Sequence, residues 1–443
     1  MKFFALIFLV FVLLLHCSRE PKEDVSTRQE LDVFTREEIK EILVRYYKPA
    51  ISDLFSLEMT IGGEHTMARD EFNLVEPAIM VVNDEGDILL TDRGKIKVFD
   101  GNGNAKQIVG GPGEEPGKFY GIFAPFLGPS GYLLVADASG LESAYDRYAS
   151  MSEPHHFYNL FAPDYTFLER KKFEDNPLLR EYLKNNNINL EDLKKISNVF
   201  PLNDTEKVYE VAIENRKPGS DFKYYAEILY EKADTIVPLL RTGLHYSPGS
   251  VSTRFLLGEL QWKLLPGRRI VYINTDEDTY NKGIWLSCSS KITGAQYTIH
   301  VLSINDGKDV QITHPFTVIE FPERFTQPHE YEGMPEELKR QEKLRARLFK
   351  VKKYYPSVFR LKIDRNYAFV FPFHEKDRKG EFETLTERQV DIFDLGAGEY
   401  LKTVNFPFVP AVIRNGYAYQ RSLNEAGFPV IRKYKIDPAV YGK

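Results

Sequence analysis

The sequence has few of the residues that cross-link small exported domains or bind structural metals. Two of its 443 residues are cysteines, Cys17 and Cys288. One pair cannot form a disulfide framework, and no close pair of cysteines is present for a structural zinc site. The fold must therefore be stabilised by an apolar core, which a chain with 43% hydrophobic residues can supply.

Clusters of basic residues are also missing. The net charge is −6, with 58 Lys and Arg dispersed among 64 Asp and Glu. Because no stripe of positive charge is present, nucleic acid is not an expected partner. Aromatic residues are instead abundant, with 26 Tyr and 31 Phe. They favour strands whose faces are packed between neighbouring sheets.

Familiar catalytic motifs are absent as well. No serine lies in a Gly-x-Ser-x-Gly elbow, and His329-Glu330 lacks the second histidine that zinc peptidases use. Residues 111–118 could pass for a phosphate-binding loop, but the spacing is one residue too long, and Phe119 replaces the metal-binding hydroxyl. We interpret that segment as a turn. No residue pattern identifies a metal site or a cofactor.

The first residues are typical of an export signal. Met1 and Lys2 precede the apolar residues 3–15, a run too short for a membrane-spanning helix, which needs about 20 residues. Residues 14–17 resemble the bacterial lipobox, which implies removal of residues 1–16 and a membrane anchor through lipid attached to Cys17. His16 stands where a small residue is usual, so an uncleaved signal anchor is the alternative. Both interpretations place the body outside the cytoplasm, in the periplasm or at the cell surface.

Residues 17–53 are expected to form a tether and a short helix. Residues 18–29 are polar and charged, as in a flexible linker. Thr35 and Glu38 then match a capping box that begins a helix ending near Arg45. From Leu54 onward the apolar pattern changes to the period of two that is typical of strands.

Two units repeat along residues 54–443. The first is a turn followed by an apolar strand, at residues 86–92, 131–137, 206–211, 267–273, 366–371 and 416–419. Each is followed by an alternating strand, a polar turn and, in five of the six, a return strand, as at 96–109. A pair of units makes a four-stranded antiparallel sheet, so six pairs predict an all-β, six-bladed β-propeller.

The sixth repeat lacks its last strand, because the sequence stops at Lys443. An unpaired edge there would invite aggregation. Residues 54–61 precede the first blade and have no partner of their own. We therefore expect them to pair antiparallel with residues 430–436 and close the ring.

Several junctions between these units carry a family resemblance. Lys97-Val-Phe-Asp-Gly-Asn-Gly103, followed by residues 110–119, resembles the blade-to-blade junction of NHL-type propellers. Residues 312–316 and 355–364 are similar to segments of the six-bladed β-propeller lipoproteins. The resemblance covers most of residues 54–440. It implies the propeller architecture of exported bacterial proteins and no particular chemistry.

The long connections predict where a ligand would bind. Strand alternation puts connections 110–119, 137–156, 174–200, 214–223, 241–259, 274–283, 314–357 and 374–388 at one end of the ring. Insertions on one face of a repeat protein usually mark its binding face. Helical insertions are expected on that face near 176–197 and 334–353, the second with Leu338, Leu344 and Leu348 on one side. The two helical insertions could pack across that face as a partial lid, or they could be solvated segments without a functional role.

Six residues in or near these connections are site candidates: His155 and His156 could hold a metal or transfer protons, and the other four would suit an anionic ligand. The six are His155, His156, Arg216, Arg254, His329 and His374. Adjacent residues on an extended strand point to opposite faces, so His155 and His156 rarely serve one site. Exposed basic residues are also ordinary, which keeps a purely structural interpretation open for all six.

Two functions fit this pattern. The first is a membrane-anchored binding or scaffold module for a polymer such as a glycan, for a peptide or for a partner protein. The second is a propeller enzyme, a hydrolase or lyase acting on a glycan or peptide. Carboxylates or histidines converging from several blades at the channel mouth would favour the enzyme.

Overall fold

The computed structural model describes residues 52–63, 70–113, 115–119, 123–137, 157–173, 175–216, 224–244, 260–275, 295–334, 336–375 and 387–443. Within these ranges, 24 strands form six four-stranded antiparallel sheets. The all-β, six-bladed propeller predicted from the repeats is confirmed. The predicted helix before residue 46 and Cys288 lie outside the described residues.

The strands follow the order of the repeats. In chain order, β1 (Phe55–Gly62) comes first and belongs to the last blade. Blade I comprises β2 (Met80–Val82), β3 (Ile88–Asp92), β4 (Lys95–Phe99) and β5 (Ala105–Gly110); blade II, β6 (Phe123–Leu127), β7 (Leu133–Asp137), β8 (Phe157–Phe161) and β9 (Phe167–Lys171); blade III, β10 (Leu193–Pro201), β11 (Lys207–Glu214), β12 (Tyr224–Glu231) and β13 (Ile236–Leu244).

The second half of the ring repeats this plan. Blade IV comprises β14 (Leu260–Leu265), β15 (Arg269–Asn274), β16 (Gln296–Ser303) and β17 (Asp309–Pro315); blade V, β18 (Val358–Asp364), β19 (Tyr367–Pro372), β20 (Arg388–Asp394) and β21 (Glu399–Phe406); blade VI, β22 (Val412–Arg414), β23 (Tyr417–Leu423), β24 (Pro429–Ile436) and β1. First strands of neighbouring blades contact one another, β2 with β6 and β22 for example, so the first strands surround the axis.

Each blade is buried on both faces by its neighbours. Strand β3 illustrates why its sequence is continuously apolar: Ile88 and Leu90 pack in a core with Tyr419 of blade VI. Leu89, between them, packs with Leu133 of blade II. Successive side chains of a strand point to opposite faces, so a strand between two sheets needs apolar residues at every position. Six such cores alternate with the six blades.

The ring closes through its two ends, as predicted. Strand β1 pairs antiparallel with β24, from Phe55 opposite Ile436 to Gly62 opposite Val430. One irregularity in this pairing lies between residues 57 and 59. Ile61 on the closing strand is 1% exposed and belongs to the core between blades VI and I. Closure therefore adds apolar burial as well as backbone hydrogen bonds.

The two ends of the ring are built differently. We call the end that carries the hairpins between first and second strands, and between third and fourth strands, the short-hairpin face. The opposite end, the long-loop face, carries the connections from second to third strands and from blade to blade. On the short-hairpin face, the Asn415–Gly416 turn has φ values of 54° and 82°. The conformation of this turn is the one that Asn-Gly favours in two-residue hairpins.

Polar contacts join neighbouring blades on the short-hairpin face. The Asp364 carboxylate of blade V accepts from the backbone amides of Asn415, at 2.7 Å, and Gly416, at 2.8 Å. Arg414 of blade VI pairs with Asp84 of blade I. Further links join blades IV and III, blades IV and V, and blades II and I: Arg268 to Glu206, Arg269 to Asn366, and Tyr165 to Asp87. These contacts hold that face together.

Within the described residues, two α-helices lie in blade-to-blade connections of the long-loop face, where helical insertions were expected. Helix α1 (Pro177–Asn185) begins after Asn176, whose side chain accepts from the amides of Leu178 and Leu179. Its buried residues Leu179, Tyr182 and Leu183 pack between blades II and III. Helix α2 (Glu336–Lys352) packs through Ala346 and Phe349. Both helices are therefore seated on apolar contacts.

Two details of the insertions differ from expectation. The sequence predicted a loop at 174–200 with a helical insertion near 176–197. Both predicted ranges end too late, because β10 already begins at Leu193. A register shift between residues 197 and 200, with Asn198 at φ 51°, interrupts the alternation that would have indicated this strand. In α2, Leu344 is 58% exposed and does not join a buried apolar side.

Candidate functional site

The first strands of the six blades enclose a central channel. Its cavity has a volume of about 530 Å³. The lining is mainly apolar and draws on every blade, with Val81, Phe126, Phe200, Leu264, Ile363 and Ile413 among its residues. The charged lining residues are Lys263, Lys362 and Arg414. No carboxylate or histidine is among the described residues that line the cavity.

Lys362 lies on β18 and is partly buried. Its Nζ donates to the backbone oxygen of Ala411 at 2.6 Å. Lys362 is two residues from the short-hairpin end of β18, and Ala411 directly precedes β22, so this bond joins the first strands of blades V and VI. Burial, followed by the positive charges of Lys263 and Arg360, lowers the pKa of Lys362 to about 7. This amine therefore exchanges its proton near neutral pH.

The neighbouring strand β14 presents Lys263, which is exposed. Two residues earlier, the Gln261 side chain joins β14 to β18. Its Nε2 donates to the backbone oxygen of Phe359 at 3.3 Å, and its Oε1 accepts from the amide of Leu361 at 2.8 Å. These bonds fix the two strands that carry Lys263 and Lys362 relative to each other. The two lysines thus stand on a rigid support.

The third cation of the lining is differently placed. Arg414 ends β22, at the short-hairpin end of the channel, where it pairs with Asp84 of blade I. This ion pair compensates its charge. The contact of Lys362 with Ala411 is made to an uncharged carbonyl oxygen. The two channel lysines, Lys263 and Lys362, lie on the first strands of blades IV and V.

Arg216 lies on the long-loop face just after β11. Its guanidinium pairs with Glu191, at 3.0 Å, and with Asp192, at 2.7 Å. Both acids belong to the blade-to-blade connection that precedes β10. Arg216 thus holds this connection against blade III, and two carboxylates already compensate the charge that an anionic ligand would need.

A smaller cavity of about 240 Å³ lies beside Arg216. The Glu227 carboxylate, fully buried, accepts from the Tyr182 hydroxyl at 2.8 Å and pairs with Arg241. Burial and the Glu227 charge raise the pKa of Tyr182, so its hydroxyl stays protonated and continues to donate. Tyr182 belongs to α1. This cluster fastens the helix to blade III.

The two described histidine candidates lie in separate parts of the long-loop face. His329 precedes α2 and is exposed; its backbone amide donates to Glu342 at 3.2 Å. His374 follows β19, and its Nε2 accepts from the backbone amide of Gln389 at 3.1 Å. That bond gives the His374 ring a structural role at the start of β20. Neither residue lines the central channel.

Four predicted site residues, Cys17, His155, His156 and Arg254, lie outside the described residues. Their proposed roles stay predictions. The channel lysines were not among the sequence candidates. Lys362 and Lys263 alternate with apolar residues along their strands, as the solvent-facing residues of any sheet do, so the sequence pattern did not distinguish them.

The described residues contain no group of three or more His, Cys, Asp or Glu side chains that could hold a metal ion. The same part of the chain has no helix with the length and apolar content needed to span a membrane.

Comparison with known proteins yields similarities of fold. No family model matches the chain, and no curated protein matches it. Among solved structures, a protein described as exported, from Bacteroides fragilis, is 10% identical, with 88% of this chain and 98% of that chain covered and a TM-score of 0.47. A protein of unknown function from Bacteroides caccae is also 10% identical, with 79% and 94% covered and a TM-score of 0.32. At these values neither likeness bears on function.

Proposed function

We propose that this chain is an exported, lipid-anchored propeller that acts as a binding or scaffold module through its long-loop face. Its partner would be a polymer such as a glycan, a peptide or a protein. The lipobox-like residues 14–17 and the resemblance to six-bladed propeller lipoproteins support the anchor at Cys17 and a site in the cell envelope.

The distribution of exposed apolar side chains is the main reason for placing the binding surface on the long-loop face. Among the described residues, the large apolar side chains that are exposed fall into two groups. Those on the long-loop face are Val75, Ile79, Leu190, Tyr331, Leu344, Val351 and Phe428; those on the outermost strands are Leu57, Leu168, Val310 and Tyr400. The described short hairpins contribute none. Exposed apolar surface is characteristic of interaction sites, so the asymmetry favours the long-loop face.

The same face combines a fixed base with variable connections. The short-hairpin face is held by blade-to-blade contacts such as Arg414 with Asp84 and Asp364 with Asn415. Loops on a rigid scaffold are the usual place for binding residues. The enzyme alternative requires carboxylates or histidines gathered from several blades, and the described lining of the channel is apolar and basic.

In-cell photo-crosslinking tests the choice of face. The photoreactive residue p-benzoylphenylalanine would replace Glu336 at the start of α2, or Asn102 in a short hairpin as the matched control; both positions are exposed. We expect a discrete cross-linked product from position 336 and none from position 102. Products from position 102 alone, or from neither position, would contradict the proposal.

The anchor is tested separately. Cys17→Ser should release the exported protein from the membrane fraction, and globomycin should cause the unprocessed wild-type chain to accumulate. A Cys17→Ser protein that stays in the membrane after export would contradict the lipid anchor. That result would leave the binding face untouched.

A further inference from the structure

Helix α2 carries an excess of positive charge on a protein that is acidic as a whole. Its residues Glu336–Lys352 include seven Lys or Arg and three Glu, a net charge of +4, whereas the whole chain has a net charge of −6. The helix belongs to the connection between blades IV and V on the long-loop face. A local field of this sign attracts acidic partners.

The inner side of α2 is fixed to the fold. The Phe349 side chain is fully buried, and its ring centroid lies 4.7 Å from that of Phe321 and 5.2 Å from that of Phe325. Ala346, three residues earlier on the helix, is also buried. These contacts hold the helix in place and leave its opposite side turned to solvent.

The solvent side of α2 combines apolar and cationic side chains. Five exposed residues recur there at the spacings that place side chains on one side of a helix: Lys343, Leu344, Arg347, Lys350 and Val351. We call these five residues the outer face of α2. Leu344 is 58% exposed and Val351 is 68% exposed. A single exposed apolar side chain is ordinary, but here two lie on the same side as three cations, which makes the face amphipathic.

Two of the three cations are available to a partner. The Lys343 ammonium lies 3.3 Å from the Glu330 carboxylate. Within the described part of the chain, neither Arg347 nor Lys350 forms an ion pair. The last turn of a helix favours a cation, which accounts in part for Lys350, but this effect does not explain the exposed apolar side chains beside it. Carboxylates from another molecule would complement both properties of the face.

The chemistry of the outer face favours a peptide over a membrane or a glycan. Insertion of a helix into a lipid surface takes a broad apolar face, and Leu344 and Val351 supply two aliphatic side chains. The proposed anchor also precedes β1, which enters the ring at the short-hairpin end, opposite Ile436, whereas α2 lies on the long-loop face. An acidic glycan has charge but lacks apolar side chains. An acidic peptide has both.

We infer that the outer face of α2 binds an acidic peptide segment of a partner protein. Carboxylates of the segment pair with Arg347 and Lys350, and its apolar side chains cover Leu344 and Val351. This inference rests on the proposed function, which places the binding surface on the long-loop face, and it names the class of partner. From residue 343 to residue 351 the face is about 12 Å long, which about four residues of an extended peptide span.

Selection from a random twelve-residue peptide phage library on the immobilised full chain tests the inference. We expect the enriched peptides to combine two or more Asp or Glu with Leu, Ile, Val or Phe. A fluorescent peptide with the most frequent enriched sequence then reports the dissociation constant by fluorescence anisotropy. Binding should weaken as sodium chloride is raised, because exposed ion pairs are screened by salt.

Variants assign the binding to the outer face. Arg347→Gln combined with Lys350→Gln should weaken peptide binding about fivefold or more and reduce its salt dependence, because two ion pairs are lost. Arg347→Lys combined with Lys350→Arg keeps both charges and should bind within about twofold of wild type. The matched control is Lys232→Gln combined with Lys308→Gln, which changes the net charge equally at exposed positions in short hairpins. This control should bind like wild type.

The outcomes separate the possibilities. Failure to enrich acidic peptides overturns the inference, as does a loss of binding in the Lys232 and Lys308 control as large as that in the Arg347 and Lys350 variant. Phosphatidylglycerol vesicles test the membrane as occupant: if they bind the Cys17→Ser chain through Arg347 and Lys350 while no peptide does, the inference is wrong. Photo-crosslinking from position 336 captures the native partner and does not depend on selected peptides. A cross-linked product without peptide enrichment therefore refutes the acidic peptide and leaves the proposed function in place.

Discussion

The ammonium of Lys362 should lower the stability of the fold, and removing it should raise the free energy of unfolding. The pKa of Lys362 is about 7 in the folded protein, against 10.5 for an unperturbed lysine. This difference corresponds to about 5 kcal/mol, at roughly 1.4 kcal/mol per pKa unit. Because the side chain keeps part of its exposure, solvent screening reduces the cost, and we expect about 1–3 kcal/mol.

The sign of the pH dependence follows from the lowered pKa. Above pH 10.5 the lysine is neutral in both the folded and the unfolded states, so it costs nothing. As the pH falls toward 7 the unfolded chain takes up a proton that the folded chain resists, and stability decreases. Below pH 7 the penalty is constant. The free energy of unfolding of Lys362→Met should therefore exceed that of wild type most at pH 6. At pH 9 the difference should be less than half as large.

Urea denaturation of both proteins at pH 6 and pH 9 measures this difference. Methionine keeps the apolar stem of the side chain and removes the amine. The substitution also removes the hydrogen bond to Ala411, and this loss should offset about 1 kcal/mol or less of the stability gained by removing the ammonium. Lys308→Met, exposed in its hairpin, should change stability by less than about 0.5 kcal/mol at either pH. A Lys362→Met protein less stable than wild type at pH 6, or a difference equal at both pH values, would refute the reasoning.

Other predictions concern the ring itself. A Cβ added at Gly128 would lie 1.6 Å from the backbone oxygen of Pro201 in the next blade, so Gly128→Ala should lower the thermal midpoint measured by circular dichroism, at a cost of about 3 kcal/mol or more. Gly101→Ala, with its nearest atom at 3.6 Å, is the control, and an equal loss there would contradict the steric argument. Ile61→Ala on the closing strand should cost about 2–5 kcal/mol in urea denaturation. Leu57→Ala on the same strand, 41% exposed, should cost less than about 0.5 kcal/mol, and similar values for both would argue against closure as a source of stability.

The architecture could be predicted from the sequence because each blade repeats the same local chemistry. The apolar segments found at 86–92 and 366–371 are second strands, β3 and β19, which are buried on both faces and so have a continuous apolar signal. Ring closure could be predicted by counting the strands in each repeat, since residues 54–61 had no partner and the sixth repeat lacked its last strand. The first strands were harder: β2 and β22 have three residues each, too few to show a period.

The candidate site could not be predicted in the same way. Arg216 was expected to be available to an anion. Its guanidinium instead forms ion pairs with Glu191 and Asp192, which belong to the connection that precedes β10. His374 was likewise expected to suit an anionic ligand, but its ring accepts a backbone hydrogen bond from Gln389. These partners depend on how connections pack on the face, which a period-two pattern does not encode.

The environment of the channel lysines also depends on the closed ring and could not be predicted from the period-two pattern. On an isolated sheet, Lys263 and Lys362 would belong to ordinary polar positions and would not approach each other, since 99 residues separate them in the chain. Closing six blades into a ring turns the first strand of every blade toward one axis, which partly buries Lys362 while Lys263 stays exposed. Burial of a charged side chain carries an energetic cost unless the charge is paired. For Arg414, the ion pair with Asp84 offsets this cost within the fold. The Lys362 amine contacts an uncharged carbonyl oxygen, so the cost of its ammonium remains in the folded state, and this is the cost that Lys362→Met should remove.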